Sequence, residues 1–124
     1  SKNTELKNQL KEIQAALIAL NAEGATLPKD FARGADKFLP ERSADDLHEK
    51  IKALEALGVR FSGFELPGED MLSAHLHHAR AIARRCEREF WLLFSSGGLA
   101  RKTPCLYLNR LSDLLWLFSQ HYHE

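Results

Sequence analysis

The chain has 124 residues, of which 44% are hydrophobic and 27% charged, a composition typical of one soluble globular domain. Its formal net charge is zero, so no long-range field favours nucleic acid or an acidic membrane, and any anion site must be local. No run approaches the roughly 18 apolar residues of a membrane span, and no apolar signal-peptide core opens the chain. Cys86 and Cys105 show no metal or disulfide spacing, which fits a reducing cytoplasm.

A first helix is predicted over about residues 4–22. Its apolar residues recur every three or four positions and define one face: Leu6, Leu10, Ile13, Leu17 and Leu20. Asn3 or Thr4 is expected to cap its start, and Gly24 to end it. Prolines interrupt any helical period over residues 24–42, so this stretch is predicted to be an irregular loop.

A second helix is predicted over about residues 44–57. Ser43 and Asp46 resemble a capping box at its start, and Gly58 ends it. His48 lies on its flank and has no neighbouring ligand residue in the sequence. We therefore expect His48 to be a solvated surface histidine.

Residues 59–66 are predicted as an extended connector, because a lone strand cannot satisfy its edges. The third and fourth helices follow over about residues 69–95 and 104–122, with Thr103 as a cap and a proline in the first turn of the fourth. The pair Gly97-Gly98 between them makes these helices antiparallel neighbours. The whole chain is predicted to be a single all-α domain, an antiparallel four-helix bundle.

Two polar rows border the apolar faces of the last two helices. The row on the third helix consists of Arg80, Arg84, Glu87 and Trp91. The row on the fourth consists of Asn109, Ser112, Asp113 and Trp116. The antiparallel turn is expected to place residues 84–91 level with 109–116. Such a cluster predicts either an anion site or a structural ion-pair network. Both tryptophans are predicted to be packing or interface residues, only partly covered by a single chain.

Three stretches resemble the ATP:cob(I)alamin adenosyltransferases of the trimeric helix-bundle type. Residues 64–68 read FELPG, similar to that family's F-x-L-P-G-G connector. Residues 76–88 read LHHARAIARRCER, similar to its L-H-x-A-R-x-x-x-R-R-A-E-R helix. Residues 107–113 read YLNRLSD and match the family motif at every position. A looser match covers residues 10–27.

The resemblance implies a reaction and a set of site residues. Co(I) of a reduced corrinoid would attack the 5′ carbon of ATP, which is bound with Mg, and triphosphate would leave. Arg84 and Arg80 would be catalytic, with Arg84 on the triphosphate and Arg80 in an ion pair between subunits. Glu87 and Asn109 would hold the nucleoside or triphosphate, and Phe64 would press on the corrinoid. Three further residues would orient these: Arg88, Ser112 and Asp113.

The resemblance also implies a homotrimer with sites between subunits, and it has one departure. The family begins with a glycine- and threonine-rich phosphate-wrapping segment and a first helix, and neither precedes the matched stretches. The expected fold is thus the family's five-helix bundle lacking its first helix. Two functional hypotheses follow. One is an active adenosyltransferase, and the other is an inactive relative that binds corrinoid or nucleotide or serves as an assembly module.

The histidines support a third hypothesis, an unrelated bundle that binds a metal. His75 and His78 share a helical face, and His121 and His123 end the antiparallel neighbour. Four imidazoles at that level would be suitable metal ligands. The sequence does not separate this arrangement from ordinary surface histidines, so no metal ligand is assigned.

Overall fold

The computed structural model describes residues 1–59 and 70–122, and every regular element within these two ranges is helical. Two short 3-10 turns, Pro28–Arg33 and Ala35–Lys37, lie in the segment predicted as an irregular loop. The four long helices are α1 Lys2–Gly24, α2 Ser43–Ala56, α3 Met71–Ser95 and α4 Thr103–His121. The predicted all-α fold is therefore confirmed. Most of the predicted connector, with Phe64, lies outside the described residues.

The helix starts differ from the predicted caps. Ser1 caps α1, its hydroxyl accepting from the Thr4 N–H at 3.3 Å. The predicted capping box at Ser43 is wrong, because the preceding Arg42 already has helical backbone angles and no side chain caps α2. A side-chain cap requires the extended backbone that Arg42 lacks. The same geometry at Lys102 makes Thr103 the first helical residue of α4 rather than its cap.

α3 begins and ends as its sequence dictates. Asp70 has an extended backbone and its carboxylate accepts from the Ser73 N–H at 2.7 Å, so it caps the helix. Gly97 follows the last turn with φ of 84°, in the left-handed region that glycine adopts without a Cβ penalty. The chain thereby reverses within a few residues, and α4 packs antiparallel on α3.

α4 is the central helix of the bundle. Nearly its whole length is buried, and α3 and α2 pack against it most closely. Specific contacts fix the directions of the helices. Tyr122 at the end of α4 bonds Gln9 near the start of α1, so α1 runs opposite to α4. The start of α2 lies near Tyr107 and its end near Leu117, so α2 runs parallel to α4 and opposite to α1. The helices thus form an antiparallel bundle, as predicted.

Two side chains predicted to be at the surface are covered. Trp116 is buried rather than partly exposed, because it lies on the side of α4 that faces α2 and α3. His48 is half-buried rather than solvated, and its Nδ1 has no hydrogen-bond partner among the described residues. Cys86 is half-buried and packs against the core.

An ion pair far from the polar rows joins three segments. Glu23 at the end of α1 is 1% exposed and receives two hydrogen bonds from Arg101, at 2.9 and 2.8 Å. Arg101 also donates to the carbonyl oxygen of Leu39, and its guanidinium lies 5.0 Å from the centre of the Phe31 ring. The hydrogen bond with Glu23 raises the pKa of Arg101. This arrangement, the Glu23–Arg101 clamp, fastens α1 and the irregular segment to the α3–α4 turn.

None of the helices described in residues 1–59 and 70–122 is both long enough and apolar enough to cross a membrane.

Candidate functional site

The two polar rows meet where α3 packs on α4. Asn109 Nδ2 of α4 donates to Glu87 Oε2 of α3 at 3.3 Å. The same oxygen accepts from Trp91 Nε1 at 3.2 Å. The predicted juxtaposition of Glu87 and Asn109 is therefore present as a direct contact. Both partners lie at the border of the buried face, where a ligand from solvent can reach them.

Arginines surround Asp113 on the same face. The charges that act on its carboxyl come from Arg110, Arg80 and Arg84, which lower its pKa, and from Glu87, which raises it. Desolvation by the neighbouring groups is the largest influence, and it raises the pKa of Asp113 overall although the residue lies at the surface. Three arginines thus lie near Asp113, and they are the local positive charges that an anion meets on this face of an otherwise neutral molecule.

Arg84 is one of the exposed arginines of α3 and is free to bind an anion. It is exposed, and it forms no hydrogen bond or ion pair within the described part of the chain. It lies one helical turn from Glu87 and one from Arg80. A planar guanidinium with no protein partner can offer a phosphate group two parallel N–H donors. Arg84, Glu87 and Asn109 therefore lie on one surface, as the sequence predicts.

Arg80 lies deeper than Arg84. It lines a pocket of about 230 Å³ between α2, α3 and α4, together with Glu55, Asp113 and Trp116. Its Nε atom is buried and has no hydrogen-bond partner in residues 1–59 and 70–122. A buried guanidinium N–H without an acceptor is unfavourable, so Arg80 is suited to a carboxylate or phosphate that reaches this pocket from outside.

The remaining predicted residues form no hydrogen bond with the Glu87 carboxylate in the described part of the chain. Ser112 is buried, and its hydroxyl donates to the backbone carbonyl of Asn109 at 2.9 Å, within its own helix. Arg88 is exposed and lines a mostly apolar depression of about 350 Å³ with Trp91, Leu92 and Ser95. Phe64 lies outside the described residues, so its expected role at a corrinoid stays a prediction.

Trp91 has a role that the sequence analysis missed. It is predicted there to be a packing or interface residue, whereas in the structure it donates a hydrogen bond to Glu87. Its indole N–H reaches the carboxylate four residues earlier on the same helix. The i, i+4 spacing puts both residues on one stripe of α3, which is the signal that predicts such a contact. A tryptophan that ends a charged row therefore serves here as a hydrogen-bond donor.

The histidines and cysteines form no metal-binding group in the described ranges. No set of three or more His, Cys, Asp or Glu side chains there could hold a metal ion, and His123 lies outside those ranges. Cys86 and Cys105 are both free thiols. Burial raises the pKa of the Cys105 thiol to about 11, so it stays protonated at neutral pH.

Comparison with known proteins agrees with the motifs on these two helices. The sequence matches the family described as cobalamin adenosyltransferase over residues 1–122. A corrinoid adenosyltransferase of Mycobacterium leprae is 33% identical over 120 residues, covering 94% of this chain and 63% of the relative. A corrinoid adenosyltransferase of Citrobacter freundii is 35% identical, covering 94% of this chain and 65% of the relative. A corrinoid adenosyltransferase of Bacillus subtilis is 40% identical, covering 88% of this chain and 58% of the relative. The chain thus spans less than two thirds of the length of each of these relatives.

Proposed function

Since this chain belongs to the cobalamin adenosyltransferase family, we propose that it takes part in transferring the 5′-deoxyadenosyl group of ATP to a Co(I) corrinoid. In this reaction cobalt forms a bond with the 5′ carbon, the bond between that carbon and oxygen breaks, and triphosphate leaves. ATP, with Mg, and cobalamin are the proposed substrates. The observation that carries the proposal is the Glu87–Asn109 contact beside the unpartnered Arg84.

The positive and negative side chains of α3 are suited to different parts of ATP. Arg84 and Arg80 are suited to the triphosphate, because guanidinium groups bind phosphate oxygens in a planar, charge-assisted geometry. Glu87 is anionic and repels phosphate, so it is suited to the hydroxyl or amino donors of the nucleoside. Asn109 supplies both a donor and an acceptor beside it. ATP would therefore lie along α3 with its nucleoside near Glu87 and its phosphates towards Arg80.

A homotrimer with sites between subunits fits two features of the surface. The buried Nε of Arg80 lacks an acceptor in the described part of this chain, and a carboxylate from a neighbouring subunit could supply one. A largely apolar groove of about 310 Å³ lies between α1, α3 and α4, with Leu10, Leu17 and the exposed Ile82 in its lining. Exposed apolar surface of this kind is typical of protein interfaces. Phe64 keeps its proposed place against the corrinoid.

The deciding experiment follows the conversion of cobalamin under reducing, oxygen-free conditions. The chain is incubated with reduced cobalamin, Mg and ATP, and formation of adenosylcobalamin is recorded by its absorption spectrum. Arg84→Ala is the test variant, and Lys50→Ala, on the far α1–α2 face, is the matched control for loss of one positive side chain. The proposal requires ATP-dependent conversion that Arg84→Ala removes and Lys50→Ala leaves intact.

Binding measurements separate the alternative function from the proposed one. Calorimetric titration with ATP and with cobalamin shows whether either substrate binds without turnover. Binding of either without conversion would assign the second hypothesis, an inactive relative that holds corrinoid or nucleotide. Absence of both binding and conversion would refute both enzymatic and ligand-binding roles and leave assembly as the function of this chain.

A further inference from the structure

The carboxylate of Glu87 is held asymmetrically. Its Oε2 atom accepts two hydrogen bonds, from Trp91 Nε1 at 3.2 Å and from Asn109 Nδ2 at 3.3 Å. Its Oε1 atom accepts none from the described part of the chain. One oxygen is thus used to fix the side chain, and the other remains as an acceptor for a ligand.

Trp91 is the more rigid of the two donors. Its ring packs edge-to-face on Phe94, with centroids 6.2 Å apart and planes at 85°. It is half-buried, whereas Asn109 is exposed at the surface of α4. An aromatic side chain has two rotatable bonds and loses little entropy when its neighbours hold it. The indole N–H therefore occupies a fixed position one helical turn from the carboxylate that it contacts.

We propose that Trp91 is a positioning residue for Glu87, which it holds so that Oε1 faces the nucleoside end of the ligand. This inference rests on the proposed function, because the ligand is the ATP of that reaction. Without the indole donor, Glu87 keeps one contact, to an exposed amide on another helix. The carboxylate then samples other rotamers, and the ligand must select the productive one when it binds.

Trp91→Phe removes the N–H donor and retains an aromatic ring. We expect it to weaken ATP affinity about three- to tenfold, a fraction of what a direct charged hydrogen bond contributes. In a Glu87→Ala background the same substitution should have no further effect on ATP affinity, since the group that it positions is gone. This affinity is followed by ATP-induced NMR shifts, because they report dissociation constants into the millimolar range. Lys50→Ala is the control, because Lys50 pairs with Glu12 on the α1–α2 face and has no part in the Trp91–Glu87 contact. It should leave ATP affinity unchanged.

The indole N–H signal of Trp91 in a ¹⁵N-correlated NMR spectrum tests the contact without any ligand. Trp91→Phe identifies the signal among the two tryptophans of the chain. Glu87→Ala should move it, whereas Lys50→Ala, on the α1–α2 face, should leave it in place. An unmoved signal in Glu87→Ala would overturn the inference, since the hydrogen bond would then be absent in solution.

The same variants distinguish failure of this inference from failure of the proposed function. If Trp91→Phe weakens ATP equally in the presence and absence of Glu87, the indole contacts the ligand itself and the positioning role is refuted. If ATP does not bind the unmodified chain at all, the proposed function fails and the positioning role towards ATP fails with it. The NMR signal still decides in that case whether Trp91 holds Glu87.

Discussion

The Glu23–Arg101 clamp and the unpaired neighbours Arg84 and Glu87 of α3 use the same two residue types for opposite purposes. In the clamp, the carboxylate is almost fully buried and both of its oxygens accept from the guanidinium. On α3, Arg84 is exposed and contacts no acid, while Glu87 accepts only from neutral donors. A fully satisfied pair has no free donor or acceptor for a ligand, whereas the second arrangement keeps both. Burial and partnering, more than residue type, separate a structural ion pair from a candidate binding site.

The largest effect should come from breaking the clamp. Arg101→Ala leaves the Glu23 carboxylate buried without its counter-ion, which we expect to cost about 3 kcal/mol or more of the free energy of unfolding. Urea denaturation at neutral pH measures this. Replacing both partners together, as Glu23→Leu with Arg101→Met, should cost less than Arg101→Ala because no unpaired charge remains. A loss no larger than that of a surface ion pair would show that the clamp is not buried in solution.

Arg84→Ala should have the opposite effect to Arg101→Ala: a small change in stability and a large loss of ATP binding. Because Arg84 is exposed and forms no hydrogen bond or ion pair in the described part of the chain, its loss should change the free energy of unfolding by less than about 0.5 kcal/mol. The same change should remove an anion contact that contributes about 1.5–3 kcal/mol to ATP affinity. Expected ATP binding is weak, in the high micromolar to millimolar range, so the variant should show no measurable binding by calorimetry. ATP affinity that survives Arg84→Ala would place the anion site elsewhere.

Raising the pH tests how much two buried tyrosines contribute to the free energy of unfolding. Tyr122 donates to Glu5 Oε1 at 2.8 Å, and burial followed by that bond raises its pKa to about 12. Burial likewise raises the pKa of Tyr107 to about 12. Since each folded pKa lies above the unfolded value of about 10, each tyrosine contributes stability that is complete below pH 10. That contribution is lost as the pH rises towards 12, by about 2 kcal/mol per tyrosine.

Denaturation curves between pH 9 and pH 12 measure this loss. Tyr122→Phe should flatten the decline, because the ionisable group is then absent from both states. A decline equally steep in Tyr122→Phe and Tyr107→Phe would mean that other groups cause it.

The smallest effect is expected for the exposed ion pair between Lys50 and Glu12. Its N–O distance of 2.9 Å is as short as the contacts in the clamp, but the two side chains are 30% and 70% exposed. Solvent screens such pairs, so Lys50→Ala should cost only about 0.2–1 kcal/mol. Added salt should reduce the difference between variant and parent. If Lys50→Ala cost nearly as much stability as Arg101→Ala, burial would not explain why the clamp stabilises the fold more than an exposed ion pair does.

The apolar spacing predicts where the helices lie, because each helix has a single buried face with a regular period. The predicted range 69–95 and the observed Met71–Ser95 agree within two residues at either end. The helix starts are less predictable from the sequence. Ser43 and Thr103 have the side chains of capping residues, but the turns before them already place the backbone in helical geometry.

The sequence pattern does not predict contacts between residues far apart in the chain. Nothing in the local sequence marks Glu23 as buried, because its partner Arg101 lies 78 residues further along the chain. The Glu87–Asn109 contact could be anticipated because a short turn fixes the register of α3 and α4. The burial of Trp116 could not, because it depends on how closely α2 approaches α4. Local periodicity thus predicts neighbours across a hairpin and fails for contacts that need the complete fold.

The hydrogen bonds of Tyr122 also have a consequence for the order of folding. They join α4 to Gln9 and Glu5 across 113 and 117 residues of sequence, whereas α3 and α4 are joined by one short turn. Closing a long loop costs more chain entropy than closing a short one, and α1 is the helix least closely packed on α4. The α3–α4 hairpin, which carries the candidate site, can therefore form early, while the docking of α1 completes the fold. The amide protons of α1 should accordingly exchange with solvent before those of α4, so the site outlasts the outer helix when the molecule opens locally.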